Sequence, residues 1–272
     1  MTLGILGRAQ RLYGMSICGF AFLSNHYHLL VWARDAEQLA RFVGYLNSKL
    51  AREVGRIHAW REKVWGRRYQ SIVVSDEQEA QVERLFYLLQ QGCKEGLVAD
   101  PEDWPGATSV RAMLHDEPLV GRWIDRTSKG SPRERSERDD REGDESRELV
   151  TLDPLPAWSH LEPTERQRRV GELVTRVRDA AAARQSRHGR PAGAHEVMLH
   201  DPHEVPLESS RGSAPWVHAA TRARRLAFLA AYRLFVAAFR RAADALRAGC
   251  VPVEFPAGCF QPSRGFIRAA PS

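Results

Sequence analysis

Leu39, Phe42, Val43, Leu46, Leu50 and Val54 recur at steps of three and four, the period of a helix with one buried face. Asp35 precedes this run and Gln38 follows it by three residues, a capping-box start. Upstream, Leu3 to Tyr13 carries a second helical pattern, with Gly14 as its stop. Between the two helices lie the apolar runs Met15 to Leu23 and His26 to Ala33. Ser24-Asn25 separates them as a tight turn, which predicts a hairpin. Gln70 to Ser75 adds a short β-type segment, and a last helix is expected from about Glu77 to Lys94, ending near Gly96. The order helix, strand, strand, helix, strand, helix lacks only a leading strand to form a split βαβ arrangement.

The expected fold class is therefore α+β. A ferredoxin-like split βαβ domain without its first strand occupies residues 1–115, and a mainly helical region follows. Three explanations account for the missing strand: a start assigned too late, a decayed element, or a sheet completed by another segment or subunit. The first is preferred, and it predicts that an N-terminally extended form is more soluble and more active.

Residues 116–127 form an extension whose Leu119, Val120, Trp123 and Ile124 are suited to pack on the first domain. Residues 128–147 contain no large apolar residue and mix both charge signs. Such a segment buries too little surface to offset its ordering entropy, so a disordered linker is expected. Residues 148–272 then supply a helix over Glu162 to Ala183 and a long one over about Pro215 to Ala248. In the long helix, Phe228, Tyr232, Phe235, Phe239 and Leu246 follow a 3.6-residue period and read as core or helix packing. From Arg211 to Arg247 there are eight arginines and a single acid, Asp244. That basic face is either a nucleic-acid contact or a solvated surface. His188, His195, His200 and His203 have no ligand spacing and are read as ordinary loop histidines.

Apolar content of 43% and charged content of 27% describe a globular protein with a substantial core. The formal charge of +6 and pI near 9.4 permit a polyanionic partner. Cys18, Cys93, Cys250 and Cys259 are scattered without a CxxC pair, and no leader-like segment is evident, so a cytoplasmic location is expected. No apolar run reaches the roughly 18 residues of a membrane span.

The candidate chemistry begins at His26-Tyr27-His28. Residues two apart on a strand share a face, so two neutral imidazoles project together as half of a divalent metal site. Alone, so short a pattern is more often two ordinary histidines. Tyr87 and Gln91 lie four apart at helical spacing. Packed beside the histidine strand, their face would bring an amide oxygen and a phenol to the two imidazoles. Nitrogen and oxygen donors with open positions suit Mg²⁺ or Mn²⁺ in phosphate chemistry, with Tyr87 as nucleophile. Of the competing tyrosines, Tyr45 reads as core. Tyr69 belongs to a basic, aromatic stretch with Arg61, Lys63, Trp65, Arg67 and Arg68, which is read as a strip that holds phosphates and stacks unpaired bases.

Residues 15–115 resemble the IS200-type single-tyrosine transposases, especially the branch associated with repeated extragenic palindromes, within the HUH endonuclease superfamily. The resemblance rests on Ser24-Asn25-His26-Tyr27-His28-Leu29-Leu30, on Trp65-Gly66-Arg67-Arg68-Tyr69, on the stretch from Tyr87 to Val98, and on Asp100-Pro101-Glu102-Asp103-Trp104-Pro105. It implies that His26, His28 and Gln91 are metal ligands and that Tyr87 is the nucleophile. It further implies that single-stranded DNA with hairpin elements is the partner, cut beside the hairpin through a 5′-phosphotyrosine, by a dimer or a monomer. Many relatives have Asn-Pro where this chain has Gln91-Gly92. Two rival functions remain: a decayed or domesticated hairpin-binding protein, and a metal-dependent phosphoesterase.

Overall fold

A computed structural model describes residues 1–125, 144–204 and 215–260. The first helix, α1 (Thr2–Tyr13), is closed by Gly14, whose backbone N–H returns to Gln10 O. It leads into a hairpin of β1 (Ser16–Phe22) and β2 (Tyr27–Trp32). Helix α2 (Ala36–Ile57) starts as expected, with Asp35 accepting from Gln38 N–H and burying Phe42, Val43, Leu46 and Leu50. The reciprocal bond of the box is shifted by one residue, since Gln38 Oε1 accepts from Arg34 N–H. A two-residue strand, β3 (Val73–Val74), precedes α3 (Gln78–Leu89). After a 3₁₀ turn at Pro101–Asp103 come α4 (Val110–His115), β4 (Leu119–Asp125) and β5 (Asp144–Val150). The chain continues through α5 (Pro163–His188), α6 (Ala194–Leu199), β6 (Val217–His218) and α7 (Arg222–Arg247).

The architecture is mixed α and β, with its strands in three two-stranded ladders among the described residues: β1 with β2, β3 with β6, and β4 with β5. This differs from the single sheet of a ferredoxin-like arrangement. The far edge of β2 has no strand partner among the described residues. Strand β3, in contrast, is partnered by the C-terminal region: it runs parallel to β6, with Val73 N–H donating to Trp216 O and Ser75 N–H to His218 O.

A bulge decides how the hairpin presents its faces. The β1–β2 register shifts between Ile17 and Gly19, so Cys18 is the extra residue. Ile17, Phe20 and Phe22 consequently share one face, opposite Val31, Leu29 and Tyr27, and bury with α1, α2 and the β4–β5 ribbon. The other face carries Cys18 and Leu30 into a second cluster with α3 and α5. There Gly19 and Ala21 oppose Leu30 and His28, and these small residues leave room for α3 beside the histidine strand.

Both clusters join segments distant in sequence. Helix α1 lies directly on the ribbon at Gly4 and Gly121, where a Cβ on Gly4 would stand 2.0 Å from Arg122 O. Glu148 of β5 binds Arg8 and Arg11 of α1. Leu155, Trp158, Val170, Leu173, Val174 and Val177 bury with Leu85, Leu89 and Trp104. The described part of the extension, 116–125, packs on the first domain through Leu119 and Trp123, and 126–127 lie outside the described residues. Of the segment expected to be a disordered linker, residues 128–143 lie outside the described residues. Its last four are a correction: 144–147 are half of β5, paired with Asp125 through Arg122 of β4. Backbone ladder bonds satisfy these polar residues, which need no apolar partner of their own to be ordered.

Candidate active site

His28 sits in β2 opposite Ala21, and His26 stands just before the strand. Their rings meet edge to face with centroids 4.9 Å apart, so the two-residue spacing does bring both imidazoles to one side. Helix α3 packs on β1 and β2 and places the Tyr87 ring 5.4 Å from that of His28, nearly perpendicular to it. Two cations flank the same phenol. Lys94 Nζ lies 3.9 Å from the Tyr87 ring centroid and Arg84 Cζ 5.1 Å, both within cation–π range.

Gln91 does not continue the helix as expected. α3 ends at Leu89, and a series of turns runs from Gln90 to Gly96. Gly92 adopts a φ of 83°, and a Cβ there would stand 2.8 Å from the Trp104 ring. Positive φ and close packing together end the helix before Gln91. The side chain still returns to the helix, with Nε2 donating to Tyr87 O at 2.5 Å. Its Oε1 is buried and has no hydrogen-bond partner.

The histidines are held as neutral donors. Burial pushes the His28 pKa down to about 4, helped by His26, Lys94 and Arg84. His26 keeps an edge open to solvent, yet partial desolvation also lowers its pKa, opposed by Glu95 and assisted by Lys94. His26 Nδ1 lies 2.7 Å from Asn25 Oδ1. A carbonyl oxygen there accepts a hydrogen, which leaves the Nε2 lone pair free. His28 Nε2 is buried without a partner.

Orphaned buried polar atoms are costly unless something binds them. His28 Nε2 and Gln91 Oε1 are two such atoms on side chains that flank the Tyr87 ring and its carbonyl. Together with the His26 imidazole they are neutral nitrogen and oxygen donors, a kind that divalent metal ions accept. No trio of His, Cys, Asp or Glu suited to a metal occurs among the described residues. An ion here would be held by neutral donors and would need an anionic substrate for charge balance.

The basic, aromatic strip is only partly available. Trp65 Nε1 donates to Asn47 O at 2.8 Å, and its ring meets Tyr27 edge to face at 5.7 Å. Both Trp65 and Tyr69 are half-buried and pack against the first core. Arg61, Lys63, Arg67 and Arg68 are exposed. Tyr45 also packs on that core, against Tyr13 and Trp123. The loop histidines form no cluster; His203 stacks on Trp60 with centroids 5.0 Å apart.

Residues 2–90 match the family model described as Transposase IS200 like. That segment is similar to the IS200-like transposases. The match spans the first third of the chain, includes His26, His28 and Tyr87, and stops one residue before Gln91. Searches of curated proteins and of solved structures gave no match. No helix among the described residues is long and apolar enough to cross a membrane.

Three neighbours of the site escaped the sequence reading. Arg84 and Lys94 stand three before and seven after Tyr87, a spacing that was legible as one helical face. Asn25 was read only as a turn residue, although a side-chain acceptor adjacent to a candidate ligand is a common orienting device.

Proposed function

We propose that this IS200-like transposase segment is a metal-dependent single-stranded DNA endonuclease and strand transferase that cuts beside hairpins. Tyr87 Oη attacks the scissile phosphorus, the bond to the 3′ oxygen breaks, and that oxygen leaves as a hydroxyl after taking up a proton. The 5′ phosphate remains on Tyr87 as a phosphotyrosine, so the bond is stored for transfer to another DNA end. His26, His28 and Gln91 would hold Mg²⁺ or Mn²⁺, which when bound supplies Lewis-acid stabilisation of the phosphate oxygens. Arg84 and Lys94 would lower the cost of bringing a phosphate beside the phenol.

One observation carries this reading. The Tyr87 ring stands against His28, which stands against His26, while His28 Nε2 and Gln91 Oε1 are buried without partners. A purely structural tyrosine does not require two unsatisfied metal donors beside it.

The test mixes the protein with labelled hairpin-containing single-stranded DNA and Mn²⁺ and resolves the products on a denaturing gel. A covalent protein–DNA adduct is expected, and Tyr87→Phe is expected to abolish it. Cleavage without an adduct would indicate a phosphoesterase, and retardation on a native gel without cleavage a hairpin-binding protein. Either outcome overturns the proposal.

A further inference from the structure

Helix α7 leaves an arginine row without ion-pair partners among the described residues. At 100° per residue, Arg222, Arg225, Arg233 and Arg240 fall within an arc of about 80°. They span 18 steps, or about 27 Å of helix. All four are exposed, and no described residue forms an ion pair with any of them; the helix's other pairs, Arg224 with Asp76 and Arg247 with Asp244, lie off this row or at its end. The aromatic stripe of the same helix is occupied separately. Tyr232 packs on Trp216 with centroids 4.6 Å apart, and Phe239 on Phe255 at 5.5 Å.

The row is anchored to the candidate active site at one end. Thr221 caps α7 and donates its hydroxyl to Glu77 Oε1 at 2.6 Å. Glu77 Oε2 also accepts from Ala220 N–H at 2.9 Å and from Ser75 Oγ at 2.8 Å. The β3–β6 pair lies immediately before this junction, and His218 Nε2 reaches Glu83 Oε2 of α3 at 3.0 Å. Glu77 is the N-cap of α3. Tyr87 is ten residues farther on, about 15 Å along that helix. The arginine row therefore begins at a point fixed to the helix that presents Tyr87.

Four like charges at roughly 5–12 Å intervals along a helix repel one another without an anion. A protein surface of matching acidic spacing or a chain of phosphates answers that need. We infer that the arginine face of α7 is a second, sequence-independent contact for the phosphate backbone of a single strand. It extends the substrate path beyond the histidine–tyrosine site. Guanidinium groups suit phosphate oxygens by their fork geometry, and the anchoring at Glu77 ties this face to the site where a strand would be cut. The inference rests on the proposed DNA chemistry for its choice of polyanion.

The test measures binding in EDTA, so that cutting does not contribute. A fluorescent single-stranded DNA of about 40 nucleotides with one hairpin is titrated with the full chain at several salt concentrations. The comparison is with Arg225→Gln/Arg233→Gln/Arg240→Gln and with a control, Arg41→Gln/Arg187→Gln/Arg190→Gln, which removes the same charge elsewhere. Each lost single-strand phosphate contact reduces the slope of log K against log salt by about 0.7. The α7 variant is expected to lose about 2 from the slope and about 100-fold in affinity at 0.1 M salt, with its helical circular dichroism intact. The control is expected to change little. Equal effects in both variants, or an unchanged slope in the α7 variant, overturn the inference. So does loss of binding to phosphatidylserine vesicles with DNA binding retained, which would assign the face to a membrane surface. Absence of a covalent adduct with the slope difference present refutes the proposed chemistry and leaves the arm standing; an adduct without the slope difference does the reverse.

Discussion

Glu148 is 5% exposed and accepts three hydrogen bonds from two arginines of α1: Arg8 Nη1 at 3.0 Å, and Arg11 Nε and Nη2 at 3.0 and 2.9 Å. Replacing it with Gln keeps the shape and removes the charge. Breaking a buried ion pair typically costs about 3–5 kcal/mol. The Arg11 side chain is 56% exposed, so solvent screens part of that interaction, and the amide of Gln retains one acceptor. A loss of about 2 kcal/mol at pH 7 is expected for Glu148→Gln. The arginines hold the Glu148 carboxyl below its ordinary value of 4.5, the Arg11 hydrogen bond contributing most. A depressed carboxylate pKa contributes stability above the unfolded value and loses it as pH falls through the folded one. The wild-type advantage should thus be full at pH 7 and shrink as pH falls from about 4.5 through the lower folded-state value, below which the carboxyl is neutral in the folded and unfolded chain alike. Urea titrations of both proteins at pH 7, 5 and 3 measure it. A gap that is absent at pH 7, or constant from pH 7 to 3, refutes the assignment of this stability to the carboxylate.

Other consequences are as direct. Cys18 and Cys93 are buried and desolvation pushes both thiols up to about 12, so a thiol reagent at pH 8 should titrate Cys250 and Cys259 quickly and the other two only in denaturant. Four fast thiols would contradict the packing of the second core. Glu77→Ala removes the acceptor of the α7 cap, and limited proteolysis near residues 215–222 should accelerate several-fold while cleavage within α1 does not; unchanged rates would count against the clamp. Lys94→Gln removes the cation 3.9 Å from the Tyr87 ring and should slow adduct formation by roughly tenfold or more, measured in single turnover. An unaltered rate would remove Lys94 from the site.

Helices α1, α2 and α5 were legible because each shows its face in its own sequence, whereas α7, expected from about Pro215, starts only at Arg222, after β6. The 3.6-residue period of α2 and the Asp35 cap gave both its extent and its buried residues. The pairing of His26 with His28 followed from strand alternation alone. What sequence could not supply was register and long-range contact. The extra residue at Cys18 changes which side Phe20 and Phe22 face, and no local pattern marks it. The end of α3 depends on Trp104 pressing on Gly92 from twelve residues away, so a helix through Lys94 was the natural local reading. The hydrogen bond from Trp65 to Asn47 O, eighteen residues away in sequence, had no local sign either. The partner of β3 is 144 residues distant, beyond any motif.

The seat of α1 on the β4–β5 ribbon has a bearing on synthesis. Ile5, Leu6 and Ala9 are buried against a surface whose later strand ends at Val150, and the Arg11–Glu148 contact closes a separation of 137 residues. At about 5–20 residues per second, roughly 7–27 s pass between emergence of the helix and arrival of its partner. During that interval the apolar side of α1 is exposed on the ribosome, and the glycine at position 4 has nothing to rest on. A nascent chain arrested before residue 144 should therefore be a good client for chaperones that bind short apolar helices, and one released past residue 150 a poor one.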